Sequence, residues 1–259
     1  MRNLAIIAHV DHGKTTLVDC LLKQTGISFT DERAMDSNAI EKERGITIMS
    51  KCTSVIYKDF KLNIVDTPGH QDFGGEVERI MSMVDGVCLV VCATEGPMPQ
   101  TKFVLKKALS HGLKPIVVIN KVDRDSSRVL EVEHEIFDLF CLLDATDDQL
   151  DYPVIYASAR NGWALKEKDG PRENVEDLFQ AIVSYIPHPK VDQSADLQML
   201  ISQTESNKYF GKMLNGRILS GKISVGEKLH AVDSNGQAVE QAKVIKIIKK
   251  FGMNQVELN

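Results

Sequence analysis

Residues Leu4 to Thr16 read LAIIAHVDHGKTT. A short apolar run of strand length ends at Ala8, a loop closes on Gly13-Lys14-Thr15, and Thr16 to Gln24 has helical spacing with Leu17, Leu21 and Leu22 on one side. Strand, loop and helix N-terminus in that order form the setting of a phosphate-cradling loop of the G-x-x-x-x-G-K-[ST] type. The residue types suit the chemistry. Backbone N–H groups from Asp11, His12 and Gly13 through Thr16, together with the helix dipole, face phosphate oxygens; the Lys14 ammonium neutralises them; the Thr15 hydroxyl is a hard-oxygen ligand for Mg²⁺. The first glycine of the pattern is Ala8 here, which weakens the match taken alone.

Outward from this stretch, strand and helix patterns alternate. Ile46 to Tyr57 alternates like a strand, Lys58-Asp59 reads as a turn, and Lys61 to Val65 pairs back. A helix is predicted from Gly75 to Val84, a strand buried on both faces at Gly86 to Cys92, and a helix from Gln100 to Ser110. A strand at Lys114 to Ile119, a helix at Ser127 to Leu143, a strand at Tyr152 to Tyr156 and a helix at Asn174 to Ile186 complete the series. The acidic run Asp144 to Asp151 lacks the Gly and following Glu of a calcium loop and reads as a solvated turn. Six alternations predict an α/β, doubly wound, mostly parallel six-stranded sheet over residues 1–190, with Pro187 to Lys190 as linker. From Leu197 the grammar changes to short alternating segments, Leu197–Gln203, Met213–Leu219, Lys228–Ala231 and Val239–Ile248, with turns at Ser220-Gly221 and Asn235-Gly236. That is the start of a β-barrel over 191–259, which ends before enough strands have appeared to close, so its edges invite self-association of an otherwise monomeric chain.

Composition narrows the classes. In 259 residues, 43% hydrophobic and 26% charged, a sizeable core is available and disorder is excluded. A net charge of −5 argues against a general polyanion surface, so DNA is not an expected partner and any RNA contact is local. Lys243, Lys246, Lys249 and Lys250 could touch RNA, but their alternation is also the wet face of a strand. Five cysteines without a C-x-x-C pair read as reduced thiols rather than zinc ligands, and the N-terminal apolar run is too short for a signal peptide or a membrane span.

The remaining motifs lie at the C-terminal ends of the predicted buried strands, where open α/β sheets bind ligands. Asp66-Thr67-Pro68-Gly69-His70 places Asp66 to hold Mg²⁺ and Gly69 to bring a bare N–H to a γ-phosphate. Asn120-Lys121-Val122-Asp123 selects the base. A carboxylate accepts two adjacent donors, which guanine offers at N1 and N2 and adenine does not, so Asp123 is the expected guanine reader. Asn120 would tie this loop to the phosphate loop, the Lys121 stem would cover the base, and Ser158-Ala159 would supply small backbone beside O6. Arg44 and Arg160 read equally as phosphate clamps or salt-bridged surface residues, and the His9 and His12 side chains as loop residues without a chemical role.

Through Ala8 to Thr15, Arg44-Gly45-Ile46-Thr47-Ile48, Asp66 to His70, Asn120 to Asp123 and Ser158 to Arg160, the chain resembles the translational GTPases. Within them it is similar to the TypA/BipA ribosome-associated GTPases across MDSN, EKERGITI, DFGGEVER, EGPMPQTKFVLKKAL and YASARNGWA, nearly its whole length. The resemblance accounts for Ala8, common at that position in the family. It implies that Ile27–Ile48 is switch I and Asp66 to about Glu78 switch II. Thr47 would bind Mg²⁺ over the γ-phosphate, His70 would orient the attacking water, and Val10 with Ile46 would gate it. The implied cofactors are GTP or GDP with Mg²⁺. The implied partner is the ribosome, through large-subunit RNA and ribosomal proteins, away from any membrane, in the cytoplasm or a plastid. It further implies that the chain is an N-terminal fragment of a longer factor. A binding switch with negligible hydrolysis and another elongation factor-type GTPase stay open as alternatives; a kinase or ATPase is opposed by Asp123.

Overall fold

The computed structural model describes residues 1–27, 50–68, 74–207, 209, 211–252 and 254–258. They divide into two compact units, Met1–Pro189 and Lys190–Asn259.

The first unit is a mixed α/β sheet flanked by helices. Its strands are β1 (Arg2–Ala8), β2 (Lys51–Tyr57), β3 (Phe60–Asp66), β4 (Gly86–Cys92), β5 (Lys114–Asn120), β6 (Val154–Ser158) and β7 (Trp163–Leu165). Its helices are α1 (Lys14–Gln24), α2 (Gly74–Met81), α3 (Pro99–Ser110), α4 (Val129–Leu142), α5 (Asp147–Leu150) and α6 (Glu176–Tyr185). The sheet order is β2-β3-β1-β4-β5-β6-β7, parallel from β3 to β6 and antiparallel at both edges. The chain therefore winds both ways from β1, which lies between β3 and β4. The carboxyl ends of β1, β3, β4, β5 and β6 share one edge, the place where such sheets open a crevice.

Both sheet faces are covered, which explains the unbroken apolar runs. Leu4, Ile6, Cys88 and Val90 pack with Leu17, Leu21, Phe179 and Ile182 of α1 and α6. Alternate residues Ala5, Ile7, Leu89 and Val91 face Val77, Ile80, Leu105, Ile136 and Phe140 of α2, α3 and α4. Every residue of β4 is buried.

Local chemistry sets the element ends, and here the structure departs from the sequence expectations. Helix α1 begins at Lys14, because Gly13 adopts φ 94° and its carbonyl accepts from Leu17 N–H at 2.9 Å, drawing Lys14 and Thr15 into the first turn. Helix α2 stops at Met81, where Met83 N–H folds back to the Ile80 carbonyl at 2.9 Å. The acidic run is not a solvated turn throughout. Asp147–Leu150 forms one helical turn, and the buried Gln149 donates to the Leu109 and Leu113 carbonyls at 3.1 and 3.3 Å. A seventh strand, β7, pairs with the edge of β6; three residues are too few to show an alternation.

In the second unit, β8 (Gln198–Asn207) pairs with β9 (Gly211–Ser220), β10 (Lys228–Val232) with β11 (Ala238–Lys243), and β12 (Ile247–Phe251) with β13 (Asn254–Leu258). All three pairs are antiparallel two-stranded sheets. The stretch expected to be one strand over Val239–Ile248 is divided between β11 and β12. At the β10–β11 turn, Asp233 Oδ1 accepts from the Asn235 and Gln237 amides at 2.9 Å, and Gly236 takes φ 77°.

Leu89 lies at the centre of β4 with no exposure, so Leu89→Ala leaves a cavity between the sheet and α3 and α4. Urea unfolding is expected to show a loss of about 2–5 kcal/mol with an unchanged m-value.

Candidate functional site

The loop from β1 to α1 turns on two residues in the left-handed region, Asp11 at φ 62° and Gly13 at φ 94°. Asp tolerates that region; Gly13 is required there twice over, since a Cβ would also run into the Asn120 amide. The resulting turn delivers Lys14 and Thr15 to the buried base of the crevice, 7% and 6% exposed. There they meet Asp66, which is fully buried at the end of β3. Lys14 Nζ is paired with Asp66 Oδ1, and Thr15 Oγ donates to Asp66 Oδ2 at 3.2 Å. Thr67, next along, is fixed by its hydroxyl to the Ile6 carbonyl at 2.8 Å. A hydroxyl and a carboxylate converging beside a cation are a hard-oxygen donor set that fits Mg²⁺ with a phosphate. Among the described residues no three His, Cys, Asp or Glu side chains cluster as a metal site. All five cysteines are free thiols; Cys20, Cys88 and Cys92 are buried and Cys141 is exposed.

Across the crevice, the Asn120 side chain holds two loops at once. Its Nδ2 donates to the His12 carbonyl at 2.9 Å, and its Oδ1 accepts from Ala159 N–H at 3.0 Å. Lys121 takes φ 64° and extends its ammonium back to the Asp11 carbonyl. Val122 N–H reaches the Ala157 carbonyl at 3.2 Å, which lays the Asn120–Asp123 turn against the end of β6. Asp123 is exposed at the crevice mouth, with Oδ2 accepting from Asn161 Nδ2 at 3.2 Å. Ser158 is 1% exposed and its Oγ has no hydrogen-bond partner among the described residues. Arg160 is exposed, and Val10 and Thr16 are half-buried. The structure thus brings Asp11 to Thr16, Asp66, Asn120, Lys121, Asp123, Ser158 and Ala159 to one sheet edge. Ile46, Thr47, Gly69 and His70 lie outside the described residues, as does most of the expected switch I.

Several residues that hold this site carry no signal in the sequence. The His12 imidazole has no exposure. Its Nδ1 accepts from the Cys92 backbone N–H at 3.3 Å, and Nε2 lies 3.0 Å from Glu95 Oε2. Burial, and then the neighbouring His9, lower its pKa to about 4, against the opposing pull of Glu95. With Nδ1 accepting, the neutral ring carries its proton on Nε2, towards Glu95. His12 is therefore a tether between the phosphate loop and the end of β4. The Glu95 loop is in turn clamped by Arg128, whose Nε and Nη2 donate to the Thr94 and Glu95 carbonyls at 2.9 and 3.0 Å while the guanidinium pairs with Glu135. Gln24, at the end of α1, donates to the Gly162 carbonyl at 2.6 Å and accepts from Val175 N–H at 2.8 Å. Apart from the Arg128–Glu135 pair, 7 residues apart, these partners lie from 33 to 151 residues away in sequence, beyond any spacing rule.

Residues 1–188 match the elongation factor Tu GTP binding domain. The chain belongs to that family. Its first unit is accordingly a GTP-binding domain of the elongation factor Tu type. Two relatives, from Salmonella typhimurium and Escherichia coli strain K12, are 56% and 55% identical over 263 and 261 residues. The matches take in 100% and 99% of this chain, and both relatives are called large ribosomal subunit assembly factor BipA. The resemblance to TypA/BipA read from the sequence is borne out by these names. The chain spans 43% of the length of each. Among solved structures, the crystal structure of the bacterial selenocysteine-specific elongation factor EF-Sec aligns with a TM-score of 0.72 at 27% identity, over 95% of this chain and 38% of that one.

The buried His12 sets a pH dependence. Its folded pKa lies below the ordinary 6.5, so between pH 6.5 and about 4 the unfolded chain binds the extra proton and stability falls as pH falls. The contribution is on the order of 3 kcal/mol. His12→Asn, which keeps an acceptor for Cys92 N–H without a titrating ring, is expected to show a shallower fall in melting temperature across that window. An equally steep fall would assign the acid sensitivity to other groups.

Proposed function

We propose that the chain is the guanine-nucleotide-binding half of a GTPase that acts on the bacterial ribosome, in the assembly of its large subunit. The observation that carries the nucleotide reading is the Asn120 bridge. One amide side chain ties the phosphate loop to the Ala159 loop and thereby fixes the spacing between a phosphate subsite and a base subsite. In this reading the Lys14 ammonium leaves Asp66 for the β- and γ-phosphates, and backbone N–H groups from Asp11 to Thr16 surround them. Mg²⁺, which Thr15, Asp66 and Thr47 would hold, supplies charge neutralisation across the phosphate oxygens when bound. Asp123 accepts guanine N1–H and N2–H, Lys121 covers the ring, and Ser158, Ala159 and Arg160 close the base side. Gly69 would donate to the γ-phosphate. His70 would orient the attacking water, held back by Val10 and Ile46 until the ribosome engages.

The ribosomal assignment rests on the relatives' names and on the family's translation-factor character. It implies a cytoplasmic location in a bacterium. Residues 191–259 are proposed to begin a β-barrel module, with three hairpins as its material. A nucleotide switch with negligible hydrolysis is the competing reading. Single-turnover hydrolysis with and without ribosomes separates the two.

Calorimetric titration is expected to give GDP and GTP affinities far above those for ATP, with Asp123→Asn costing guanine roughly 2–5 kcal/mol and gaining xanthine nucleotides. Comparable ATP affinity would remove the base assignment. Lys14→Ala should weaken nucleotide binding. His70→Ala should leave GTP affinity nearly unchanged yet slow ribosome-stimulated hydrolysis roughly 10²-fold or more; an unchanged stimulated rate would give the water-orienting role to another residue.

A further inference from the structure

Asp123 has one side-chain neighbour that the nucleotide reading leaves without a task. Asn161 Nδ2 donates to its Oδ2 at 3.2 Å, from a loop 38 residues away. Both residues are exposed, and an exposed pair contributes little to folding stability. The loop that carries Asn161 is nevertheless built rigidly. Asn161 and Gly162 N–H groups both turn back to the Ser158 carbonyl, at 3.1 and 3.0 Å. Ala159 is held by Asn120 Oδ1, Gly162 adopts φ 81°, and Gln24 of the phosphate-loop helix grips the Gly162 carbonyl. A rigid loop presenting a single donor to one carboxylate oxygen is an orienting device.

We propose that Asn161 is a specificity-setting positioning residue, which fixes the plane of the Asp123 carboxylate so that it meets two side-by-side donors of the base. The proposal rests on Asp123 as the base reader and adds how that reader is aimed. The torsion that rotates a carboxylate about its last bond is soft, so an unsupported Asp123 would sample many planes. Guanine rewards only the plane in which both oxygens face its N1–H and N2–H. Asn161 occupies one lone pair of Oδ2 and leaves the others available. A purine seated over Asp123 excludes water from the pair, and the charge-assisted bond then strengthens. A base without adjacent donors gains nothing from this orientation. The contribution of Asn161 is therefore read in base preference rather than in phosphate binding or in stability.

The test is a double-mutant cycle on the purified protein, with GDP, XDP and ADP titrated by calorimetry into wild type, Asn161→Ala, Asp123→Asn and the double variant. Asn161→Ala is expected to weaken GDP about tenfold, which is about 1.4 kcal/mol, while its melting temperature stays within about 2 °C of wild type. Asp123→Asn is expected to prefer XDP to GDP. In that background, where no carboxylate remains to be aimed, adding Asn161→Ala should change XDP affinity less than threefold. Asn161→Ala binding GDP within twofold of wild type, with the Asp123→Asn switch intact, overturns the proposal and leaves the base reading standing. An equal loss for GDP in the wild-type background and XDP in the Asp123→Asn background also overturns it, because the loop would then support any purine. Asp123→Asn that gains no XDP overturns the base reading and this proposal together.

Discussion

Two opposite charges buried at the carboxyl edge of the sheet, Lys14 and Asp66, impose the main constraint on the first unit. Removing a carboxylate and an ammonium from water is costly unless each finds a partner of opposite sign and further hydrogen bonds. Here the partner is mutual, and the Thr15 hydroxyl adds a second bond to Asp66. The pairing is possible only because β1 and β3 are adjacent parallel strands in register, so that the loop leaving β1 begins beside the end of β3. It also requires the turn at Gly13, whose conformation places the lysine inside the crevice instead of on its rim. Such a pair keeps an ammonium and a carboxylate side by side at the base of the crevice, each neutralised by the other.

The same logic explains why so many of the supporting bonds run from a side chain to backbone. Loops at a sheet edge expose N–H and C=O groups with no ladder to satisfy them, and their burial demands partners. Asn120, Gln24, Thr67, Arg128 and His12 each supply one or more. Since every such bond joins segments distant in sequence, satisfying the backbone also stitches the phosphate loop, the Glu95 loop, the Asn120–Asp123 turn and the Ser158–Gly162 turn into one frame. Preorganisation of the crevice is then a by-product of burying irregular backbone, and electrostatic work in the site meets little reorganisation.

The two units differ in the physical basis of their order. The first buries both faces of its sheet against helices, and its core side chains are nearly all below a tenth exposed. In the second, described residues pair as hairpins, and apolar side chains such as Val232, Val239 and Ile245 remain 61%, 68% and 76% exposed. Isolated hairpins gain little apolar burial, so burial among the described residues contributes less to the order of this unit than to that of the first.

Much of this protein was legible in the order of its residues. The alternation of apolar runs with helical spacing specified a doubly wound sheet, because hydrophobic periodicity is local. The loops LAIIAHVDHGKTT, NKVD and SAR, and Asp66 of DTPGH, were legible as strand-end motifs, and the structure brings them to one edge of the sheet. Element ends were less legible: the start of α1 at Lys14 hangs on the backbone angle of Gly13, and β7 is too short to carry a period. The tertiary structure alone decided how the site is held. His12 looked like an idle loop histidine until the end of β4 and Glu95 closed around it and excluded water. Asn161 and Gln24 looked like ordinary polar residues until the sheet brought Asp123 and Gly162 within hydrogen-bonding reach. Spacing along a chain encodes what a segment can do locally; which distant donor meets which buried acceptor is settled only when the strands take their order.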